Sequence, residues 1–206
     1  IRDRVDTDST FDASQFYPGL VIDSNSRDAA VSLTLDYDSR DTIFTPGGGL
    51  SASIEAMLFR ETVGSDSDFE KCKAKALYFT PLSDQFVLGL RGQVETVEGR
   101  TKDIPYYHYP FVSLRGIPVM RYQGETAAVG EAELRWNFTP RWSVVGFGGV
   151  GKTTDTLISD SGETVYSKGA GLRYFIARRF GAHVGFDVAK GPEDTAFYLQ
   201  FGHAWK

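Results

Sequence analysis

This sequence predicts an all-β, antiparallel fold, and three observations predict it. Apolar and polar residues alternate with a period of two from about residue 28 to about residue 205, which puts successive side chains on opposite faces of a strand. Clusters of Gly, Pro, Asp and Ser interrupt the alternation, and no helical period runs to useful length. Aromatic residues make up 14% of the chain and gather near the ends of the alternating runs. The 206 residues suffice for one domain with a full core. No apolar run approaches the roughly 18–20 residues that a spanning helix needs, so a membrane role would have to come through strands. The single cysteine, Cys72, excludes a disulfide framework and reads as inert packing. A net charge of −5 argues against a nucleic-acid partner. The opening "IRDRVDTDST" lacks the apolar segment of a signal peptide.

Two regions are expected: an irregular polar segment over 1–27, and the strand-forming region over 28–206. In "AVSLTLDYD", Val31, Leu33, Leu35 and Tyr37 alternate with Ser32, Thr34, Asp36 and Asp38. "SRDTIFTPGGG" is a turn rich in Gly and Pro, followed by a strand near 50–62 that "GSDSD" breaks. A third strand, near 68–80, sets Cys72, Ala74, Ala76 and Tyr78 against Lys71, Lys73 and Lys75. The lysine ladder fits salt bridging to acids on neighbouring strands. After "PLSDQ", a strand near 85–98 opposes Phe86, Leu88, Leu90 and Val94 to Arg91, Gln93 and Glu95. A long loop covers 99–122. "AVGEAELRWNF" then sets Ala128, Ala132, Leu134, Trp136 and Phe138 against Glu131, Glu133, Arg135 and Asn137. Four more strands, near 141–153, 164–177, 181–189 and 194–205, bring the expected number to nine.

Periodicity alone leaves two readings open. In a soluble sandwich the apolar face would be the core and the charges would meet water. In a membrane barrel the apolar face meets lipid and the charges line the lumen. Runs of 10 to 15 residues exceed the usual soluble strand and suit a tilted bilayer crossing of about 9–11 residues. Tyr37, Tyr78, Trp136, Phe138, Trp142, Tyr174 and Trp205 sit where interfacial girdles need aromatics. Turns alternate short and long, as the two sides of a membrane barrel require. An antiparallel transmembrane β-barrel is therefore the predicted fold.

Six segments carry a resemblance: "SLTLDYDSRDTIFTPGGG", "PYYHYPFVSLRGI", "GEAELRWNF", "GAGLRY", "AHVGFDVA" and, closing the series, "FYLQFGHAW". In this order they resemble the C-terminal barrel of the bacterial surface antigen (BamA/TamA-like) outer-membrane superfamily, across about residues 28–205. The resemblance implies a sixteen-stranded barrel of which nine strands are present, without the periplasmic repeat domains. It also implies a Gram-negative outer-membrane location and a role in outer-membrane protein or lipid assembly or translocation. The implied partners are the lipid bilayer, the barrel assembly machinery and further strands from the same or another chain. A passive pore, or a structural barrel without insertase activity, is the alternative.

The family carries a Val/Leu-Arg-Gly-Phe/Tyr motif at the tip of a loop folded into the lumen. Here it reads Leu114-Arg115-Gly116-Ile117, without the aromatic. Gly116 permits a turn with positive φ, and the Arg115 guanidinium suits a bidentate carboxylate. The resemblance implies Glu133 as that partner, with Glu131 beside it on the same face. Some relatives carry a second acid on the next strand; "GFGGVG" places Gly149 there, which leaves Asp187 as a further candidate. Gln200, Gly202 and Trp205 resemble the terminal assembly signal of outer-membrane barrels.

No enzyme is expected. His183 and His203 fall on the presumed apolar side, His108 lies in an aromatic loop, "GxSxG" is absent, and no cluster has metal-ligand spacing. The "GGG" at 47–49 lacks the Lys-Ser/Thr of a phosphate loop. No cofactor and no metal are expected.

Overall fold

The structure, a computed structural model, describes residues 27–99, 104–154, 162–177 and 182–205. The expected irregular segment before residue 27 and Lys206 lie outside them. One antiparallel sheet holds nine strands in sequential order. They are β1 (Ala30–Asp38), β2 (Gly49–Phe59), β3 (Phe69–Pro81), β4 (Phe86–Gly99), β5 (Thr126–Trp136), β6 (Trp142–Thr154), β7 (Thr164–Ala177), β8 (Ala182–Lys190) and β9 (Thr195–Phe201). Each pairs only with its neighbours in sequence, so the sheet is open, with β1 and β9 as its edges.

Short turns at one end of the sheet are set by local side-chain acceptors. Ser83 Oγ accepts from the Gln85 and Phe86 amides between β3 and β4. Thr139 Oγ1 does the same for Arg141 and Trp142 between β5 and β6. In the β1–β2 connection the Asp41 carboxylate accepts from the Thr42 and Gly47 amides. Such side chains are favoured in turns because they offer the backbone a local partner.

Cross-strand partners share a face, so register carries one face across the sheet. Leu134 pairs with Leu88 and Gly146, Gly146 with Ala170, Ala170 with Val188, and Val188 with Phe197. This face is apolar and uncovered: Leu33 is 66% exposed, Leu134 41% and Leu199 89%. We call it the outer face. The opposite, inner face bears most of the strand charges and carries the segments that pack on the sheet. Its core lies between sheet and loop, in clusters such as Phe59, Phe69, Val97, Ile104 and Tyr109, or Val112, Leu114, Ile117, Val129 and Val165. A sandwich would bury the apolar face, whereas this structure leaves it open. The lysine ladder points inward, with Lys71 Nζ 2.7 Å and Lys73 Nζ 3.7 Å from Glu95 carboxylate oxygens.

Three expectations are corrected. The last strand does not reach 205: Gly202, at φ 80°, turns the chain inward, and Trp205 is only 4% exposed. Trp205 therefore belongs to no outer girdle, because Leu77 and Phe79 receive its ring on the inner face. Nor are His183 and His203 on the apolar side. His183 stacks on Phe175 and pairs with it across β7–β8, and His203 lies after β9 beside Phe79. Burial and the neighbouring cations Arg40, Lys75 and Arg135 push the His203 pKa down to about 4.

The face assignment makes a prediction. In a membrane, Leu134→Cys and Trp136→Cys should react with a charged maleimide more slowly than Lys73→Cys, whose inner-face position is partly open. Faster labelling at 134 and 136, read by gel shift, would reverse inner and outer.

Candidate functional site

The loop between β4 and β5 starts in the apolar cluster under β2–β4, where Ile104 and Tyr109 are buried. Its two legs then zip together. Phe111 bridges Gln123, the Val112 amide donates to Tyr122 O (2.9 Å), and the Gly124 amide donates to Pro110 O (3.0 Å). The tip closes in a turn in which the Ile117 amide donates to Leu114 O (3.2 Å). Gly116 occupies the third position of that turn with φ 86°, the conformation that L side chains disfavour. It also faces the β8–β9 turn, where a Cβ would stand 2.9 Å from Gly191 N. Its own amide donates to Tyr198 Oη on β9 (2.8 Å).

This tip presents Arg115 to three carboxylates. Glu131 on β5 is the best aligned: its Oε1 accepts from Arg115 Nε (2.8 Å) and lies 2.6 Å from Nη2. Asp187 Oδ2 on β8 accepts from Nη1 (3.0 Å). Glu133 Oε2 lies 2.8 Å from Nη1 as an ion pair without hydrogen-bond alignment. The guanidinium also stacks over Phe147 on β6, 3.4 Å from the ring centroid. Burial alone would pull the Arg115 pKa down, but Glu133, Glu131 and Asp187 outweigh it and hold it above the ordinary arginine value.

The acids have further partners. Glu131 Oε2 accepts from Trp205 Nε1 (2.9 Å) and lies 3.5 Å from Arg91 Nη1. Arg91 also donates to Ser113 O (2.9 Å) and Ser113 Oγ (2.8 Å) on the loop. Asp187, fully buried, holds Arg173 through both oxygens. The structure thus brings Arg115, Glu131, Glu133 and Asp187 together, with Glu131 and Asp187 rather than Glu133 as the aligned acceptors. Gly149, which stands where some relatives carry a second acid, gives its space to the loop: a Cβ there would lie 2.7 Å from Leu114 Cδ2. Gln200 is half-buried on β9 and pairs with Gly185. Gly202 and Trp205 form the inward turn.

Sequence reasoning passed over Arg91, Phe147, Arg173 and Tyr198. Alternation already put Arg91 on the charged face, and Arg173 stands in the "GAGLRY" segment. Phe147 and Tyr198 gave no signal, because an inward aromatic looks the same in sequence whether or not it meets the loop tip, as Phe147 meets Arg115 and Tyr198 meets the Gly116 amide.

The chain matches the Omp85 superfamily domain over residues 2–205. A comparison with curated protein sequences gives no match. Among solved structures, the fold is similar to that in "The crystal structure of BamA from Haemophilus ducreyi lacking POTRA domains 1-3", with a TM-score of 0.66 and 19% identity. The similarity covers 85% of this chain and 41% of that one, so the chain spans well under half of that structure's length. With the family match running over nearly all of its residues, on a sheet of the same fold, the chain belongs to the Omp85 superfamily.

Proposed function

We propose that the sheet is part of the wall of a transmembrane β-barrel in the bacterial outer membrane, with the β4–β5 loop inside its lumen. The protein then serves insertion or translocation of outer-membrane proteins or lipids, not passive diffusion. One observation carries this reading: the inner face is occupied by a loop whose tip arginine, Arg115, is fixed on three carboxylates from β5 and β8. A diffusion pore is served by a solvated inner face, whereas here the loop tip and the segment after β9 meet on Glu131. The open edges of β1 and β9 require partners in lipid, since unpaired backbone groups there cost several kcal/mol each. Further strands from the same or another chain fill that role, and the barrel assembly machinery delivers the chain to the bilayer. The cluster is read as structural rather than catalytic, because each of its acids already has an arginine partner.

Planar-bilayer conductance of the purified protein tests this reading. Low, flickering current is expected from a loop-filled lumen, and Arg115→Ala should raise it. Steady, high conductance that Arg115→Ala leaves unchanged would favour the passive pore.

A further inference from the structure

We propose that the outer face carries a binding site for a phosphate-bearing lipid headgroup, centred on Lys168 and Lys190 with Lys152 and Tyr166 beside them. The proposal rests on the membrane reading above and names a lipid class that the reading does not.

Register defines the site. Lys168 precedes the outer-face Ala170 by two residues along β7, and Lys190 follows the outer-face Val188 by two on the antiparallel β8. Lys168 and Lys190 are direct Cα partners across β7–β8. Lys152, paired with Thr164 across β6–β7, points the same way, as does Tyr166, paired with Val150. All three lysines are exposed, and Tyr166 is 68% exposed. Among the described strand residues, the outer face bears charge at these lysines and at Glu70 and Glu98, which are cross-strand partners on β3 and β4. Glu70 is paired with Arg60. No ion pair is formed by Lys152, Lys168 or Lys190 among the described residues.

Two ammonium groups directly opposite each other on a lipid-facing sheet are unfavourable twice over, by mutual repulsion and by loss of water. An anion between them offsets both costs. Their level in the membrane fits a headgroup: Lys190 is the last residue of β8, and the turn 191–194 follows at once. A tyrosine two residues from Lys168 is the amphipathic ring favoured at that depth, and lysine stems reach outward from just below it. Towards the other end of the sheet, Ala170, Leu172, Phe186, Val188 and Phe197 continue the same face without a charge. That apolar continuation accommodates acyl chains and gives a free phosphate nothing, so the phosphate is assigned to a lipid.

The test is lipid selectivity at the protein surface. The full chain is reconstituted in phosphatidylcholine bilayers containing spin-labelled phosphatidic acid or spin-labelled phosphatidylcholine, and the motionally restricted fraction of each is read by electron spin resonance. A preference for phosphatidic acid is expected, with each lysine contributing about fivefold at low salt. Lys168→Gln with Lys190→Gln should remove most of it, while Glu70→Gln with Glu98→Gln should retain it. A preference unchanged in the lysine double variant overturns the proposal, and so does its absence from the wild type. Displacement of the labelled lipid by millimolar inorganic phosphate would assign the site to free phosphate instead. Should the lysine double variant not assemble, the wild type decides alone, since a preference that salt does not weaken is not made by surface charge. Vesicle flotation and heat-modifiable mobility are scored separately, so failure of the membrane reading is distinguished from failure of the site.

Discussion

Arg115→Ala is expected to release the β4–β5 loop, giving proteolytic cleavage between Gly99 and Gly124 at protease levels that leave the wild type intact. The guanidinium is 7% exposed and its acids are almost fully buried. Removing one partner from a buried ion pair costs on the order of 3–5 kcal/mol, because the charge left behind has neither water nor counter-charge. The single acids should rank below Arg115 and differ from one another. Glu131→Ala removes the Nε hydrogen bond, the close Nη2 ion pair and the Trp205 acceptor together. Asp187→Ala leaves Arg173 and Arg115 both short of an anion. Glu133→Ala removes only the poorly aligned contact and should have the smallest effect of the three. Combined with Arg115→Ala, each acid variant should add little, since residues acting on one contact are not additive. Full additivity for Glu131 would show that the two side chains do not share an energy term. A larger effect from Glu133 than from Glu131 would return the principal contact to Glu133.

The nine strands were legible because a period of two is a local property: the nine residues of "AVGEAELRW" alone place Glu131 and Glu133 on one face and Leu134 on the other. Which carboxylate Arg115 meets is not local. Glu131 and Asp187 stand on β5 and β8, with two strands between them, and only the path of the loop over β6 brings both within reach of one guanidinium. The resemblance put the motif at the loop tip but favoured Glu133, since adjacent inward positions of one strand cannot be ranked from sequence. Gly149 shows a similar limit. Read as a missing acid it pointed to Asp187 as a further candidate, and in the structure it also makes room for Leu114. Trp205 was misplaced because alternation in "FYLQFGHAW" runs on past Gly202, while the backbone does not. A single left-handed residue at 202 ends the strand, and glycine permits that turn without demanding it.

That inward turn sets the second large effect. Trp205→Ala should destabilise the folded chain by about 3–5 kcal/mol, the usual cost of emptying a site filled by a large aromatic, measured as a lower urea midpoint for loss of heat-modifiable mobility. The ring packs on Leu77 and Phe79 and lies against Gly89, where a Cβ would stand 3.0 Å from it. Its indole N–H also completes the Glu131 carboxylate that holds Arg115. The same substitution should therefore raise protease sensitivity of the β4–β5 loop, although residue 205 is remote from it in sequence. An assembly-signal role makes a different demand. Ending the chain at Gln200 removes the lipid-facing Phe201 and the Gly202 turn as well, and should abolish membrane assembly, whereas Trp205→Ala should assemble into a weaker barrel. Normal yields of heat-modifiable protein from the shortened chain would leave the segment after β9 as a packing element alone. If Trp205→Ala lowered stability and left the loop fully protected, Glu131 would not couple the two, and Arg115 would be held by Asp187 and Arg91's grip on Ser113 instead.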